Sequence, residues 1–273
     1  MVNAFSFCLY GGENPRYYPG MLENIELIDK YFPDWKVYVY YAPDVTTEMV
    51  AKLSSHKNTV LRPTGERGAI NMIHRFYAID EPDVELMMVR DADSRVHWKD
   101  RWAIREFLLS DYKAHTIRDN KEHTSKMMGG LWGIRKSTGI RMQTEYLQYK
   151  DNAVKGELGH DQDFLNECIY PKVRSVLLVH YSNNRAILGE IAVEFPFVWS
   201  NDVYCGRIEY EYLDTRQPEV KARLLGFLPK AFVRIRDAIP QTPAKETVSV
   251  PNVSSSLRMK EPTGPVLNFL NKK

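Results

Sequence analysis

The chain has 273 residues, enough for one large domain or two smaller ones. Its 37 basic and 35 acidic residues leave a net charge of only +2, which gives no general reason to expect a nucleic-acid partner. Cys8, Cys168 and Cys205 are too widely spaced to predict a disulfide framework or a zinc signature. The first residues lack the basic start of a signal peptide, and no apolar run reaches membrane-spanning length, so we expect a cytoplasmic protein.

Strands and helices alternate through the first part of the chain. Residues 4–10, 36–42 and 59–62 have the apolar or β-branched composition of strands, and apolar residues at helical spacing lie between them. This rhythm predicts an α/β fold, a mixed, mainly parallel sheet flanked by helices. Ligands of such sheets bind beyond the carboxyl ends of the strands.

Residues 84–96, VELMMVRDADSRV, are the most informative stretch. A continuous apolar run, typical of a strand buried on both faces, leads directly into Asp91 and Asp93. Two carboxylates between Arg90 and Arg95 favour a site for a divalent cation and an anion; the alternative is a charged surface turn. The two arginines either contact that anion or brace the aspartates.

Other segments are expected at the same edge of the sheet. Tyr10 and Gly11 follow the first strand, where a small residue lets a ligand approach the backbone. Residues 65–80 read as a helix in which Arg67, Asn71 and His74 share a face that borders either the cleft or solvent.

Three later features carry a functional and a structural interpretation each. Trp132, among glycines in MMGGLWGI, either stacks on a sugar or packs in the core. Asp161 and Asp163 either serve the site or simply complement the start of a helix. His180, at the end of the apolar run 176–180, is either a ligand or a structural histidine.

The composition changes after residue 205. We expect a catalytic domain over residues 1–205 and a basic helical extension over 206–240, followed by a flexible tail over 241–273. Within the extension, residues 218–239 predict an amphipathic helix that packs on the core or docks on a partner or membrane surface.

Taken as chemistry, the aspartate pair suits a hard cation shared with the phosphates of a substrate. A histidine ligand, His180, would favour Mn²⁺ over Mg²⁺ because imidazole suits softer metals. A metal-bridged diphosphate that leaves a carbon centre is the chemistry of group transfer from a nucleotide-activated donor.

An apolar strand that ends in Asp-X-Asp resembles the DXD motif of the GT-A-fold glycosyltransferases, which use Mn²⁺ or Mg²⁺ to bind nucleotide sugars. The segment HDQDFLN is similar to one in glycogenin-like and bacterial lipooligosaccharide galactosyltransferases. With FSFCLYG, AINMIHRFYAIDEPDV, VRDADSR and GGLWG, the pattern most resembles the small capsid-glycan glycosyltransferases of large algal DNA viruses, over about residues 4–200.

The resemblance implies a GT-A-like, Rossmann-like fold and a set of roles. Asp91, Asp93 and His180 would bind the metal, and Asp161 or Asp163 would orient sugar hydroxyls or deprotonate the acceptor. The nucleotide sugar would contact Tyr10, Gly11, Arg67, His74, Arg75, Asp91, Arg95, Gly130 and Trp132. The donor would be a nucleotide-diphosphate sugar, preferably a UDP-sugar. The acceptor would be a glycan or glycoprotein, such as a viral capsid glycan. A viral protein of this kind would act in the cytoplasm of the host.

One departure from the glycogenin-like pattern matters. Their His-x-x-Gly-x-x-Lys-Pro-Trp ending is HYSNNRAIL here, so the phosphate-binding lysine is absent and Arg185 is a candidate substitute. Retaining and inverting chemistry therefore both stay open. Two other functions also remain: a nucleotidyltransferase that makes sugar nucleotides, and a catalytically silent glycan-binding protein. LYGGENPRYY lacks the usual Gly-rich loop of the nucleotidyltransferases.

Overall fold

The computed structural model describes residues 1–149, 159–197 and 203–207. Eight strands form one sheet in this part of the chain. In chain order they are Val2–Leu9 (β1), Lys36–Tyr41 (β2), Thr59–Pro63 (β3), Val84–Arg90 (β4), Ala114–Arg118 (β5), Leu131–Arg135 (β6), Leu177–Tyr181 (β7) and Ile191–Glu194 (β8).

The strand order across the sheet is β3-β2-β1-β4-β6-β5-β7-β8. β6 runs antiparallel to both of its neighbours, β4 and β5, and every other pairing is parallel. The predicted mixed, mainly parallel, Rossmann-like α/β sheet is therefore confirmed. The chain builds outward from β1 to β3 and then returns to β4 on the other side, so β1 and β4 flank a switch point where ligands of such sheets bind.

Helices cover both faces of this sheet. The α-helices are Tyr18–Tyr31 (α1), Thr47–Ser54 (α2), Trp98–Leu108 (α3), Met142–Tyr149 (α4), His160–Phe164 (α5) and Tyr170–Val173 (α6). A long 3₁₀ helix, Ala69–Asp80, packs against β1, β2 and β4. None of the helices in the described ranges is both long and apolar enough to cross a membrane.

The central strand β4 is buried on both faces, as its apolar run predicts. Met87 and Val89 join one hydrophobic cluster, while Leu86 and Met88 join the cluster on the opposite face. Because both faces are covered, the only part of β4 that can meet a ligand is its carboxyl end, where Asp91 follows.

Three elements and one helix type differ from expectation. β6, α4 and β8 were not predicted, and the segment 65–80 forms a 3₁₀ helix that begins only at Ala69. Arg67 therefore precedes the helix, and the α-helical face expected to join it to Asn71 and His74 does not exist, because a 3₁₀ helix has three residues per turn. The predicted tail and nearly all of the C-terminal extension lie outside the described residues.

Candidate functional site

A cavity of about 230 Å³ lies where β1 and β4 end. β1 leads into Tyr10 and β4 leads into Asp91, so the two central strands deliver their following residues to one place. The lining residues are Cys8, Tyr10, Arg16, Tyr17, Met72, Arg75, Asp91, Ala92, Asp93 and Gly206. The cavity therefore occupies the edge of the sheet at which a ligand was expected.

The buried guanidinium of Arg75 joins two carboxylates. Its Nη1 donates to Oδ1 of Asp91, and its Nη2 donates to Oδ2 of Asp161 at 2.7 Å. Burial disfavours the charged form of Arg75, but the two carboxylates outweigh burial and raise its pKa. Arg75 is thus a fixed positive charge that ties the 3₁₀ helix to both the β4 end and α5.

Asp93 is held by a second arginine. Nε of Arg16, from the loop after β1, donates to Oδ2 of Asp93 at 2.7 Å. The Asp93 side chain is only 9% exposed, whereas that of Arg16 is 37% exposed. Burial and the neighbouring Asp91 raise the pKa of Asp93, and Arg16 acts in the opposite direction. The ionised form of Asp93 therefore depends on a nearby cation.

The donor atoms at the cavity fit a hard divalent cation. Arg75 binds Asp91 through Oδ1 and Arg16 binds Asp93 through Oδ2, so each arginine engages one oxygen of its carboxylate. Carboxylate oxygens are the ligands that Mg²⁺ and Mn²⁺ accept. Asp91, Asp93 and Asp161 carry three negative charges against the two of Arg16 and Arg75, so one divalent ion would turn a net charge of −1 into +1. That sign would favour a diphosphate.

Gly129 and Gly130 leave space for the carboxylates. A Cβ at Gly130 would overlap Oδ2 of Asp91 and lie 2.9 Å from Oδ1, and a Cβ at Gly129 would lie 3.2 Å from Nη2 of Arg75. Gly130 therefore contributes by the absence of a side chain, beside Asp91 rather than as a wall of the cavity.

Side chains of the HDQDFLN segment form hydrogen bonds with the backbone that leads into Gly129 and Gly130. Oε1 of Gln162 accepts from the Gly129 backbone at 2.8 Å, while its Nε2 donates to the Met127 carbonyl. Oδ1 of Asn166 accepts from the Met127 backbone at 3.0 Å. Asp161 is buried and meets Arg75 behind the cavity wall, whereas Asp163 is exposed; neither aspartate lines the cavity. The structure thus separates the two aspartates proposed as catalytic.

Two tyrosines form the side of the cavity next to β1. Tyr10 is half-buried, and burial raises its pKa to about 12, so its hydroxyl remains a hydrogen-bond donor at neutral pH. Burial also raises the pKa of Tyr17. Gly11 lies just outside, exposed, with φ +88°, and its backbone N–H donates to Asp44 at 3.3 Å. The left-handed backbone at Gly11 turns the chain away from the cavity.

The arginines that flank the aspartates brace the fold. Arg90 is buried and pairs through Nε with Asp100 at 2.8 Å. Nη1 of Arg95 donates to the carbonyls of Asp93 and Ser94, and its Nε donates to Glu23 at 2.7 Å. Arg95 thus braces the aspartate loop, one of the two interpretations left open, whereas Arg90 contacts Asp100 and the Val89 carbonyl and neither aspartate. Arg95 therefore holds the backbone of the aspartate loop without lining the cavity.

His180 is not brought to the aspartates. It lies fully buried on β7, where its Nδ1 and Nε2 of His115 are 2.8 Å apart. The Trp102 and Phe195 rings pack on it at 5.3 and 5.6 Å between centroids. Burial lowers the pKa of His180 to about 3, so it is a neutral core residue. The structural interpretation replaces the proposed metal ligand, because β6 and β5 separate β7 from β4.

Trp132 is also a core residue. It is fully buried and meets Phe76 edge to face, with ring centroids 5.0 Å apart. A sugar cannot stack on a ring that other side chains enclose, so the structural interpretation again replaces the proposed one. The glycines beside Trp132 accommodate other side chains and do not open its ring to solvent.

His74 lines a second cavity, of about 260 Å³, on the other side of the 3₁₀ helix. This cavity is lined by Glu66, Ile70, Ile73, His74, Tyr77, Tyr146 and Leu147. The ring Nε2 of His74 lies 3.2 Å from Oε2 of Glu66. Arg67 is exposed and belongs to neither cavity. Of the cationic candidates in this segment, only Arg75 faces the aspartates.

A group that could hold a metal ion lies beside the first cavity. Ligand atoms of His97, Asp100 and Cys205 lie within 4.8 Å of one another. Asp100 already pairs with Arg90, however, and Nδ1 of His97 accepts from the backbone of Lys99 at 3.1 Å as the cap of α3. These hydrogen bonds give the group a structural role. The carboxylates of Asp91 and Asp93 are therefore better suited to bind a hard cation than this group.

The short segment 203–207 closes one side of the cavity. The backbone N–H of Cys205 donates to Oδ2 of buried Asp119 at 3.0 Å, and Asp119 also pairs with Nζ of Lys99 at 2.6 Å. Gly206, which lines the cavity, has φ +78°, and a Cβ at this position would lie 2.9 Å from Cδ1 of Leu131. A buried ion pair thus holds the closing segment in place.

Sequence reasoning missed Arg16 and Gly206. Arg16 contacts Asp93 across 77 positions of the sequence, and no local pattern marks such a contact. Its position four residues after the Gly11-Gly12 pair, in the loop that follows the first strand, was the one available signal.

Comparisons with known proteins find distant structural likeness. Neither a protein-family model nor a curated protein matches the chain. Solved structures that resemble it include a glycosyltransferase involved in glycosylation of the major capsid of PBCV-1, with 16% identity, coverage of 66% of this chain and 82% of that one, and a TM-score of 0.44.

Two further structures belong to other organisms. A mannosyltransferase from Pyrobaculum calidifontis, in complex with GDP-Man and Mn²⁺, has 12% identity, coverage of 68% and 56%, and a TM-score of 0.42. The 4-diphosphocytidyl-2C-methyl-D-erythritol synthase from Anaerococcus prevotii has 10% identity, coverage of 68% and 89%, and a TM-score of 0.43. The site of this chain is therefore interpreted from its own residues.

Proposed function

We propose that this protein is a metal-dependent glycosyltransferase that moves a sugar from a nucleotide-diphosphate sugar to a glycan acceptor. One observation carries the proposal: Asp91 and Asp93, delivered by the central strand, share a cavity with Arg16, Arg75 and Tyr10. Oxygen ligands for a cation, positive charge for phosphates and an aromatic wall for a base thus meet at the switch point of the sheet.

The aspartates would hold Mn²⁺ or Mg²⁺, which supplies stabilisation of the negative charge that develops on the leaving diphosphate. Arg75 keeps Asp91 in position, and Gly130 leaves room for its carboxylate. The rings of Tyr10 and Tyr17 would contact the nucleotide base, because aromatic faces bind flat heterocycles and Tyr hydroxyls add polar recognition. We propose UDP as the nucleotide.

Asp161 would act on the sugar side of the site. Arg75 fixes one of its oxygens and leaves a carboxylate that can orient a sugar hydroxyl. Because the carboxylate is held by a buried cation, we propose that Asp161 positions hydroxyls of the donor or acceptor. We propose a glycan acceptor, with a viral capsid glycan as the finer assignment.

A thermal-shift screen tests the donor class. UDP-, GDP- and TDP-sugars are added with and without Mn²⁺. A donor at about a hundred times its dissociation constant stabilises the folded state by roughly 2.7 kcal/mol. We expect a metal-dependent rise in melting temperature with at least one UDP-sugar, whereas equal shifts with and without metal would argue against the proposal.

Arg16 favours one alternative function. The loop after β1 lacks the usual nucleotidyltransferase pattern in sequence, yet it carries two glycines and an arginine that reaches the aspartates. A sugar-nucleotide-forming nucleotidyltransferase would use such an arginine on a triphosphate. Pyrophosphate release from UTP and a sugar 1-phosphate would support this alternative, and nucleotide-sugar binding without turnover on any acceptor would support a silent glycan-binding protein.

A further inference from the structure

The 3₁₀ helix Ala69–Asp80 separates the first cavity from the second, which also contacts α4. A 3₁₀ helix has three residues per turn, so side chains three positions apart share a face. Met72 and Arg75 line the first cavity. The second cavity is lined from the same helix by Ile70, Ile73, His74 and Tyr77. The two cavities therefore use different faces of one helix.

The walls of the second cavity combine aliphatic, aromatic and polar groups. Ile70 and Ile73 supply aliphatic surface, and Tyr77 and Tyr146 supply aromatic rings. Burial raises the pKa of both tyrosines, so their hydroxyls stay protonated at neutral pH and can donate hydrogen bonds. Small-molecule sites in proteins typically have this composition, a mainly apolar wall with a few polar groups that orient the ligand.

Glu66 and His74 form a polar pair in this cavity. Nε2 of His74 lies 3.2 Å from Oε2 of Glu66. The His74 ring also lies between two tyrosines, with its centroid 5.2 Å from that of Tyr77 and 6.4 Å from that of Tyr40. The Glu66 side chain is 54% exposed, and a carboxylate accepts several hydrogen bonds at once. Glu66 can therefore bind hydroxyl groups while it pairs with His74.

The charge of the second cavity discriminates between classes of ligand. Its lining, as far as the described residues form it, contains one carboxylate and no lysine or arginine. Glu66 would repel a phosphate or a second nucleotide. A purely apolar ligand would displace water from Glu66 and His74 without replacing the lost hydrogen bonds. A neutral sugar suits both parts of the cavity, because its hydroxyls can bind the polar pair while its C–H face packs on aromatic rings.

The second cavity is a neighbour of the proposed transfer site. Glu66 comes three residues after β3, which runs parallel to β2, so its position is close to the sheet edge at which Asp91 lies. Burial, and then the negative charges of Glu66 and Asp161, raise the pKa of Tyr146. Tyr146 of the second cavity thus lies within electrostatic reach of Asp161, which pairs with Arg75 of the first.

We propose that the second cavity binds a neutral sugar unit of the glycan acceptor, away from the bond that is transferred. This inference rests on the proposed function. Glu66 and His74 would bind hydroxyls of that unit, and Tyr77 would pack against its C–H face. A helix with its side chains is roughly 10 Å wide, a distance that a short oligosaccharide spans. The cavity would therefore favour acceptors that carry a suitable sugar at this distance from their growing end.

The test measures sugar binding by the full-length chain in EDTA, without nucleotide. The probes are the methyl glycosides of glucose, galactose, mannose and xylose, and saturation-transfer NMR titrations give their affinities. We expect at least one glycoside to bind, and we expect Glu66→Gln and His74→Leu each to weaken that binding several-fold. Glu26→Gln makes the same change at an exposed position on α1 and should leave the affinity unchanged.

The absence of glycoside binding, or binding that Glu66→Gln and His74→Leu leave unchanged, would overturn the sugar site. Tighter binding of hexanol or inorganic phosphate than of every glycoside would also overturn it, in favour of an apolar or an anionic ligand.

UDP affinity at saturating Mn²⁺, measured by calorimetry, separates this inference from the proposed function. We expect Glu66→Gln to retain the UDP affinity of wild type, because Glu66 lies outside the first cavity. If wild type binds UDP with Mn²⁺ but no glycoside, the inference fails and the proposed function stands. If wild type binds a glycoside through Glu66 and His74 but neither Mn²⁺ nor UDP, the sugar site stands and the proposed function fails.

Discussion

Gly130 lies so close to Asp91 that a β-carbon cannot fit between them. The carboxylate of Asp91 occupies the volume that an alanine side chain would need, with Oδ1 2.9 Å and Oδ2 still nearer to the position of the missing atom. Any side chain at position 130 must therefore displace the Asp91 carboxylate from its present position. This relationship gives the GGLWG segment a functional reason for its second glycine.

Gly130→Ala should abolish most transfer activity and weaken Mn²⁺ binding. The displaced Asp91 can no longer share a cation with Asp93, and it loses its contact with Arg75. Activity and Mn²⁺ affinity are measured together with urea unfolding. Gly65→Ala is the matched control, because a Cβ there meets nothing within 4 Å. Full activity in Gly130→Ala would refute the steric role.

Arg75→Met should lower the free energy of unfolding by about 3–5 kcal/mol, because it leaves the buried carboxylate of Asp161 without its cation. Urea denaturation measures this loss. Asp161→Asn in the same chain should restore part of it, since the neutral amide no longer needs a charged partner. A loss below about 1 kcal/mol, the range of exposed ion pairs, would show that Asp161 is not held as described.

The buried histidine pair should make the protein sensitive to acid. Burial lowers the pKa of His180 to about 3 from its ordinary 6.5, and burial and His180 lower that of His115. A histidine with a lowered folded-state pKa contributes stability above pH 6.5 that is lost as the pH falls towards the folded-state value. In His180→Phe, the slope of unfolding free energy against pH between about 6 and 4 should fall by roughly 1.4 kcal/mol per unit.

His115→Gln provides the companion measurement for that slope, since it removes the other titrating ring and should produce a similar decrease. An unchanged slope in both variants would mean that the rings are charged or solvated in the folded state.

Metal binding should not depend on His180. The ring is enclosed by Trp102, Phe195 and His115, on a strand separated from β4 by two others. We expect His180→Phe to retain the Mn²⁺ affinity of wild type and Asp93→Asn to lose it, as measured by titration of the free ion. A large loss of affinity in a well-folded His180→Phe would restore the histidine as a ligand.

Local patterns in the sequence predicted the strands that position the site. The apolar run before Asp91 identifies β4 as a strand buried on both faces, and the residue types that follow it are the basis of the proposed cation site. A strand buried on both faces lacks the alternation of apolar and polar residues that shows which way each side chain points. On β7, which is also buried on both faces, the sequence therefore does not indicate the surroundings of a side chain. His180 was therefore placed on the correct strand and given the wrong surroundings.

The glycines around Trp132 are the reason that strand β6 was not predicted. No strand was predicted in MMGGLWGI because glycine is rare in strands, yet Leu131–Arg135 pairs with both β4 and β5. Gly130 and Gly133 are required there by the close approach of Asp91 and Met88 respectively. Such contacts between distant segments, like that of Arg16 with Asp93, arise only once the sheet has formed.

The most direct test of the central claim measures release of the nucleoside diphosphate from UDP-, GDP- and TDP-sugars, with Mn²⁺, with Mg²⁺ and with excess EDTA. We predict release from at least one of these sugars with a metal ion, none in EDTA, and none from a folded Asp93→Asn variant. Undiminished release in EDTA, or from Asp93→Asn, would contradict the assignment of a metal-dependent transfer site to Asp91 and Asp93.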